Sequence, residues 1–170
     1  MAKVAALVAD VVPKDHPKAE LVARLGSSYV EGQGKTAEQL MQDCSVVAGS
    51  LDIILEASGA AETAVRLIDY MSRDSIYVMT GIPHGDMQVE VDAAQLVRQM
   101  VRYNQVLVGS VNSNHGHFEM ALQDMPRLNE AFPGFLPALF THSFALADCA
   151  EAFRSPTLPG HIKTLVQVSG

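Results

Sequence analysis

At 170 residues and 48% hydrophobic, the chain has material for one domain with a real core and little room for two. A formal net charge of -7, with no basic run, argues against partners such as nucleic acid, whose binding needs basic surface to displace counterions. Cys44 and Cys149 are too far apart for a metal or redox motif and read as inert thiols of a reduced, cytoplasmic protein.

Val4 to Val12 is a nearly all-apolar run broken by Asp10 and closed by Pro13. It is too short and too acidic for a secretory signal, and nothing approaches the roughly 20 apolar residues of a membrane helix. Lys18 to Leu25 has helical spacing at Leu21, Val22 and Leu25, with Gly26 placed to end the helix. A short strand over Ser28 to Val30 and a turn at Gly32 and Gly34 follow. Thr36-Ala37-Glu38-Gln39 then opens a helix reaching about Cys44. Leu51 to Gly59 predicts a buried strand ending in small residues, and Ala61 to Met71 a helix. Asp74 to Thr80 predicts a strand closed by Gly81-Ile82-Pro83, Asp92 to Arg102 a helix, and Gln105 to Val111 a further strand. Phe118 to Asn129 and Ala147 to Phe153 predict helices, and Ile162 to Val168 a closing strand.

Strands alternating with helices, each strand apolar on both faces, predict a mostly parallel α/β sheet covered on both sides. Ligands in such sheets bind beyond the carboxyl ends of the strands. That rule directs attention to Asp10, Ala57 to Gly59, Thr80 to Pro83 and Val111 to Asn114. Small residues such as Ala57, Ser58 and Gly59 let a cofactor approach the backbone, although an ordinary tight strand-to-helix turn has the same composition. An acid at a strand tip, as Asp10 is, can accept hydrogen bonds from ribose hydroxyls, or can be a capping or solvated aspartate. His84, His115 and His117 lack a third ligand at defined spacing and read as loop and helix-start residues rather than a metal centre. No Gly-x-Ser-x-Gly, no Walker pattern and no Gly-x-Gly-x-x-Gly is present; Gly32 and Gly34 follow a helix and a short strand and are not a pyrophosphate loop.

Four segments carry a resemblance in their order and spacing. They are Leu51-Asp52-Ile53-Ile54-Leu55-Glu56-Ala57-Ser58-Gly59; Val108-Gly109-Ser110-Val111-Asn112 followed by His117-Phe118; Phe144-Ala145-Leu146-Ala147-Asp148 with Glu151-Ala152-Phe153; and Ile162-Lys163-Thr164-Leu165-Val166. Together they resemble the C-terminal, nucleotide-binding half of medium-chain zinc-type NAD(P)-dependent dehydrogenases, in the glucose 1-dehydrogenase branch. The resemblance implies a Rossmann-type doubly wound parallel sheet, incomplete because the first strand and its glycine loop are missing. It implies one partial dinucleotide-binding domain over residues 1–170, with zinc confined to a catalytic domain that this sequence lacks.

It also implies roles for particular residues. Asp10 falls where the family reads the ribose. Ala57 and Ser58 lie against the bridge of the dinucleotide, with Gly59 beside them as a further cofactor-binding residue, Thr80, Gly81 and Ile82 pass beneath the cofactor, and Asn112 borders the nicotinamide and the sugar. NADP-preferring members follow the ribose position with arginines, whereas Val11 and Val12 stand here, so NAD is favoured over NADP. The activity implied is hydride transfer between a sugar or alcohol and nicotinamide in the intact enzyme, with this chain inactive alone. The alternative is a non-catalytic nucleotide-binding module, or a subunit completed by another chain. A missing central strand would leave unpaired edges, so the sheet is expected to be filled by Val4 to Val12, to split, or to be closed by a second chain. The uncharged strand Gln105 to Val111, at the far edge, is the expected seam of a homodimer.

Overall fold

A computed structural model describes residues 6–168. The start of the first apolar run, Val4 and Ala5, lies outside the described residues. Among the described residues seven strands and seven α-helices largely alternate, and the strands group into three sheets: β1–β2, β3–β4–β5 and β6–β7. The single sheet predicted from sequence is therefore split, one of the outcomes expected when a central strand is missing. The described residues divide into two compact units, 6–9 with 32–112 and 10–31 with 113–168.

The unit over residues 32–112 carries β3 (Ile53–Glu56), β4 (Ile76–Met79) and β5 (Val106–Gly109), all parallel. Helix α2 (Ala37–Ala48) opens with the capping box predicted at Thr36 and Gln39: Gln39 N donates to Thr36 Oγ1 at 3.2 Å, and Thr36 N donates to Gln39 Oε1 at 3.0 Å. It runs one turn past the predicted end at Cys44. Helix α3 (Ala61–Arg66) passes into a 3₁₀ turn over Leu67–Tyr70, so the helix predicted to Met71 is α-helical for only its first half. Helix α4 (Ala93–Tyr103) is capped by Asp92, whose carboxylate accepts from Gln95 N at 2.9 Å, and ends on Asn104 in the left-handed conformation.

Register fixes the two faces of this sheet. Ile54, Tyr77 and Leu107 are aligned across it, and Ile54 and Tyr77 are buried. On the opposite face Ile53, Ile76 and Val106 form one row and Leu55, Val78 and Val108 the next. Ile53 is 70% exposed and Leu55 67%. The expectation of cover on both sides is therefore corrected: β3 is apolar on both faces, yet only one is buried.

In the other unit α1 (Pro17–Arg24) starts with proline, which supplies a fixed φ where no amide partner is needed, and ends at Gly26, φ +72°, as predicted. The strand predicted at Ser28 extends one residue, giving β2 (Ser28–Glu31). Its partner in the sheet is β1 (Leu7–Asp10). Helix α5 (His115–Ala131) starts three residues before the prediction, because Asn114 and His117 form a capping box. Two elements were not predicted: α6 (Phe135–Leu139) and β6 (Phe140–Ala145). Strand β6 pairs in parallel with β7 (Lys163–Gln167) around a bulge at Thr141. The helix predicted over Ala147 to Phe153 is a 3₁₀ turn, Leu146–Asp148, followed by α7 (Cys149–Arg154).

Candidate cofactor site

Five of the predicted residues, Ser58, Gly59, Thr80, Gly81 and Ile82, meet at the carboxyl ends of β3 and β4, and the group that gathers them is Glu56. Its side chain is buried. Oε1 accepts from Ser58 N and Ser58 Oγ, each at 2.6 Å, and from Gly59 N at 3.1 Å. The Glu56 carbonyl accepts from Thr80 N at 2.8 Å, Thr80 Oγ1 at 2.9 Å and Gly81 N at 3.2 Å. One residue thus ties the turn after β3 to the turn after β4 through side chain and backbone at once. A carboxylate accepting several amide donors is the strong kind of hydrogen-bonded group, and its place in the core is consistent with that saturation.

The two turns are also in van der Waals contact through glycine. Gly59 has φ +70°, and a Cβ there would stand 2.7 Å from the Ile82 carbonyl oxygen. A Cβ on Gly81 would stand 2.7 Å from Glu56 Oε2 and would overlap Gly59 N. Both glycines are therefore required by space, and Gly59 by backbone conformation as well. The result is a low shelf of backbone at the strand tips, with Ala57, Ser58, Thr80 and Ile82 exposed along it. Sequence reasoning quoted Glu56 inside its motif but gave it no role. The available signal was an acid as the last residue of an apolar strand, directly before a small-residue turn.

Beneath the shelf Tyr77 is fully buried and donates to the Ala64 carbonyl at 2.7 Å. Burial, reinforced by the Glu56 charge, raises its phenol well above the ordinary value. Asn112 follows β5 in the same unit, exposed and left-handed at φ +66°, a conformation that asparagine tolerates better than most residues.

Asp10 belongs to the other unit and ends β1. Its Oδ1 accepts from Val11 N at 2.7 Å and its Oδ2 pairs with Lys18 Nζ at 3.1 Å, with both side chains about one-third exposed. Tyr29 Oη donates to the Val12 carbonyl at 2.6 Å and so holds the loop that follows. The absence of arginines after Asp10 made the sequence look free of cations here; Lys18, eight residues on, supplies one.

Among the described residues no group of three or more His, Cys, Asp or Glu side chains is placed to hold a metal ion. His115 and His117 sit in the first turn of α5, and His117 serves as capping partner. None of the described helices is long and apolar enough to cross a membrane.

The family model for the glucose dehydrogenase C-terminus matches residues 2–168. The chain belongs to that family. Among its relatives, the glucose 1-dehydrogenase of Haloferax mediterranei is 31% identical over 153 residues, covering 90% of this chain and 40% of the relative. Glucose 1-dehydrogenase 2 of Vulcanisaeta moutnovskia is 30% identical over 142 residues, covering 83% and 37%. The chain thus spans about two-fifths of the length of the glucose dehydrogenases it matches. Among solved structures, Haloferax mediterranei glucose dehydrogenase in complex with NADP, zinc and gluconolactone superposes with a TM-score of 0.81 at 28% identity, over 98% of this chain and 44% of that one. An alcohol dehydrogenase from Thermotoga maritima gives 0.75 at 17% identity, over 96% and 43%, which shows the shared fold. The resemblance to the C-terminal half of zinc-type dehydrogenases and the Rossmann-like parallel architecture both hold. The chain corresponds to the C-terminal part of glucose dehydrogenase.

Proposed function

We propose that this chain forms one partial dinucleotide-binding domain whose task is to seat the bridge and nicotinamide end of NAD(P) for hydride transfer at a sugar or alcohol carbon, in the cytoplasm. The observation that carries the reading is the Glu56-held shelf at the strand tips, where two glycines let the turns after β3 and β4 pack backbone to backbone and Ala57, Ser58, Thr80 and Ile82 are exposed along it. Ala57, Ser58 and Gly59 would lie along the bridge, Thr80, Gly81 and Ile82 beneath it, Asn112 beside the nicotinamide, and Asp10 at the adenosine ribose. Bound cofactor supplies the hydride acceptor; these residues orient it and keep its approach narrow. Zinc would come from a catalytic domain outside this sequence.

NAD is favoured over NADP, because Asp10 accepts from a ribose diol and repels a 2′-phosphate, and Val11 and Val12 add no cation. Lys18 tempers that preference through its ion pair with Asp10. The test is saturation-transfer NMR or calorimetry with NAD and NADP on the wild type and Asp10→Ala. Weak binding is expected, since much of the pyrophosphate's hold normally comes from a glycine loop. Loss of NAD affinity should exceed loss of NADP affinity in the variant. Equal losses would remove Asp10 from the ribose, and no binding of either dinucleotide at millimolar concentration would overturn the cofactor reading.

A second reading, a subunit completed by another chain, is favoured by one observation: the row Ile53, Leu55, Ile76, Val106 and Val108 is exposed, and β3 lies at a sheet edge. Strand β5 forms the opposite edge, uncharged over Val106–Gly109, and we assign to it the two-fold seam of a homodimer.

A further inference from the structure

The unit over residues 10–31 and 113–168 contains a hydroxyl-histidine cluster to which the proposed function assigns no role. The rings of His142, on β6, and His161, just before β7, stack with centroids 5.6 Å apart. His161 Nε2 lies 3.0 Å from Thr164 Oγ1, and Thr164 Oγ1 makes a short contact with the buried Ser155 Oγ. Ser155 Oγ donates to the Ala152 carbonyl at 2.7 Å.

Proton inventory fixes the direction of this chain. A carbonyl only accepts, so the single Ser155 proton goes to Ala152. Thr164 must then donate to Ser155, and His161 must donate from Nε2 to Thr164. Neutral His161 therefore carries its proton on Nε2, and any further proton enters at Nδ1. At the other histidine, Nδ1 lies 3.0 Å from Thr141 Oγ1, the bulged residue that also accepts from Ile162 N at 2.9 Å. The two rings thus sit beside the bulge in the β6–β7 ladder, where side-chain bonds supplement the backbone pairing.

The charges around His161 come from three elements: His142 on β6, Lys163 on β7 and Lys18 on α1. Lys18 is itself paired to Asp10. The start of α1 lies close by, since a Cβ on Gly160 would stand 3.5 Å from Pro17 Cγ. We infer that the His142–His161 stack is an acid-sensitive latch, holding the β6–β7 pair and the 158–162 loop against α1 while the His161 ring is neutral and loosening them when that ring gains a proton.

Partial burial and then the neighbouring cations, His142 first, lower the His161 pKa below its ordinary value. An unfolded chain takes up its proton first as pH falls through about 6.5. The latch's contribution is therefore whole above that pH and lost as pH drops through it toward the lower folded value. Because Lys18 links the stack to Asp10, acid also changes the field at the proposed ribose acid; that link rests on the Asp10 reading, while the opening of β6–β7 does not.

The test compares wild type with His161→Gln, whose carboxamide can still donate to Thr164 but does not titrate near neutrality. Amide exchange, corrected for its intrinsic pH dependence, is followed between about pH 7.5 and about pH 5. Protection of residues 140–145 and 163–167 should fall with acid in the wild type and stay flat in the variant, with residues 53–56 and 76–79 unaffected in both. Equal acid loss in both proteins, or a uniform loss across the chain, would overturn the latch. Should the variant fail to fold, the wild-type His161 ring-proton titration decides: a midpoint below about 6.5 supports the latch, and one at or above that value overturns it.

Discussion

Replacing Glu56 with alanine removes the acceptor of two backbone amides, Ser58 N and Gly59 N, and of the Ser58 hydroxyl. The hydroxyl is on an exposed residue and re-pairs with water. The amides are part-buried, and bonds to a charged acceptor contribute about 1.5–3 kcal/mol each. Partial access of water to the turn lowers the sum, so Glu56→Ala should cost about 2–4 kcal/mol. For a chain of this size that is a fall in Tm of roughly 5–15 °C. Glu56→Gln keeps one acceptor oxygen and should cost about half as much, because it loses the charge but not the shape. Urea unfolding followed by circular dichroism measures both, with amide spectra reporting whether Ser58, Gly59 and Gly81 move together. A Glu56→Ala variant within about 1 kcal/mol of wild type would refute the claim that this carboxylate builds the shelf.

Gly81→Ala should destabilise by about 1–3 kcal/mol, since its methyl must displace Glu56 Oε2 and the Gly59 backbone; an unchanged urea midpoint would contradict that geometry. Tyr77→Phe should cost about 1–2 kcal/mol at neutral pH through the lost bond to Ala64. Because burial raises the Tyr77 pKa, the fold keeps the phenol protonated, and that contribution is lost as pH rises above about 10; the phenylalanine variant should lose less stability there than wild type. Leu107→Lys or Val108→Lys should turn a dimer into a monomer by light scattering, and a monomeric wild type or a dimeric variant would remove β5 as the seam.

Long apolar segments were legible from residue order. The helix starts at Thr36 and Asp92 and the stop at Gly26 were readable because capping is local chemistry. Strand β6 was not, since Phe-Thr-His-Ser-Phe-Ala has no run of β-formers and gains its state from pairing with β7. The exposed row at Ile53 and Leu55 was equally hidden, because apolar residues on both faces of a strand announce burial without naming what buries them. At the site, the small residues and strand tips were visible in sequence, whereas Glu56 as organiser and Lys18 beside Asp10 depend on contacts that spacing does not encode.

The meeting of Glu56, Gly59 and Gly81 also sets which substitutions can follow one another. A side chain at position 81 must find space held both by the Glu56 carboxylate and by the Gly59 backbone, so shortening position 56 removes only part of the clash. Shortening position 56 first strands the amides of the neighbouring turn. Each single step is unfavourable, and a joint change relieves only the clash between the new methyl and the carboxylate. The three positions should therefore drift as a unit across the family, with double variants at 56 and 81 less damaging than the sum of the singles. The open positions along the shelf, Ala57 and Ile82, carry no such constraint on their side chains and are where diversity can accumulate without moving the backbone.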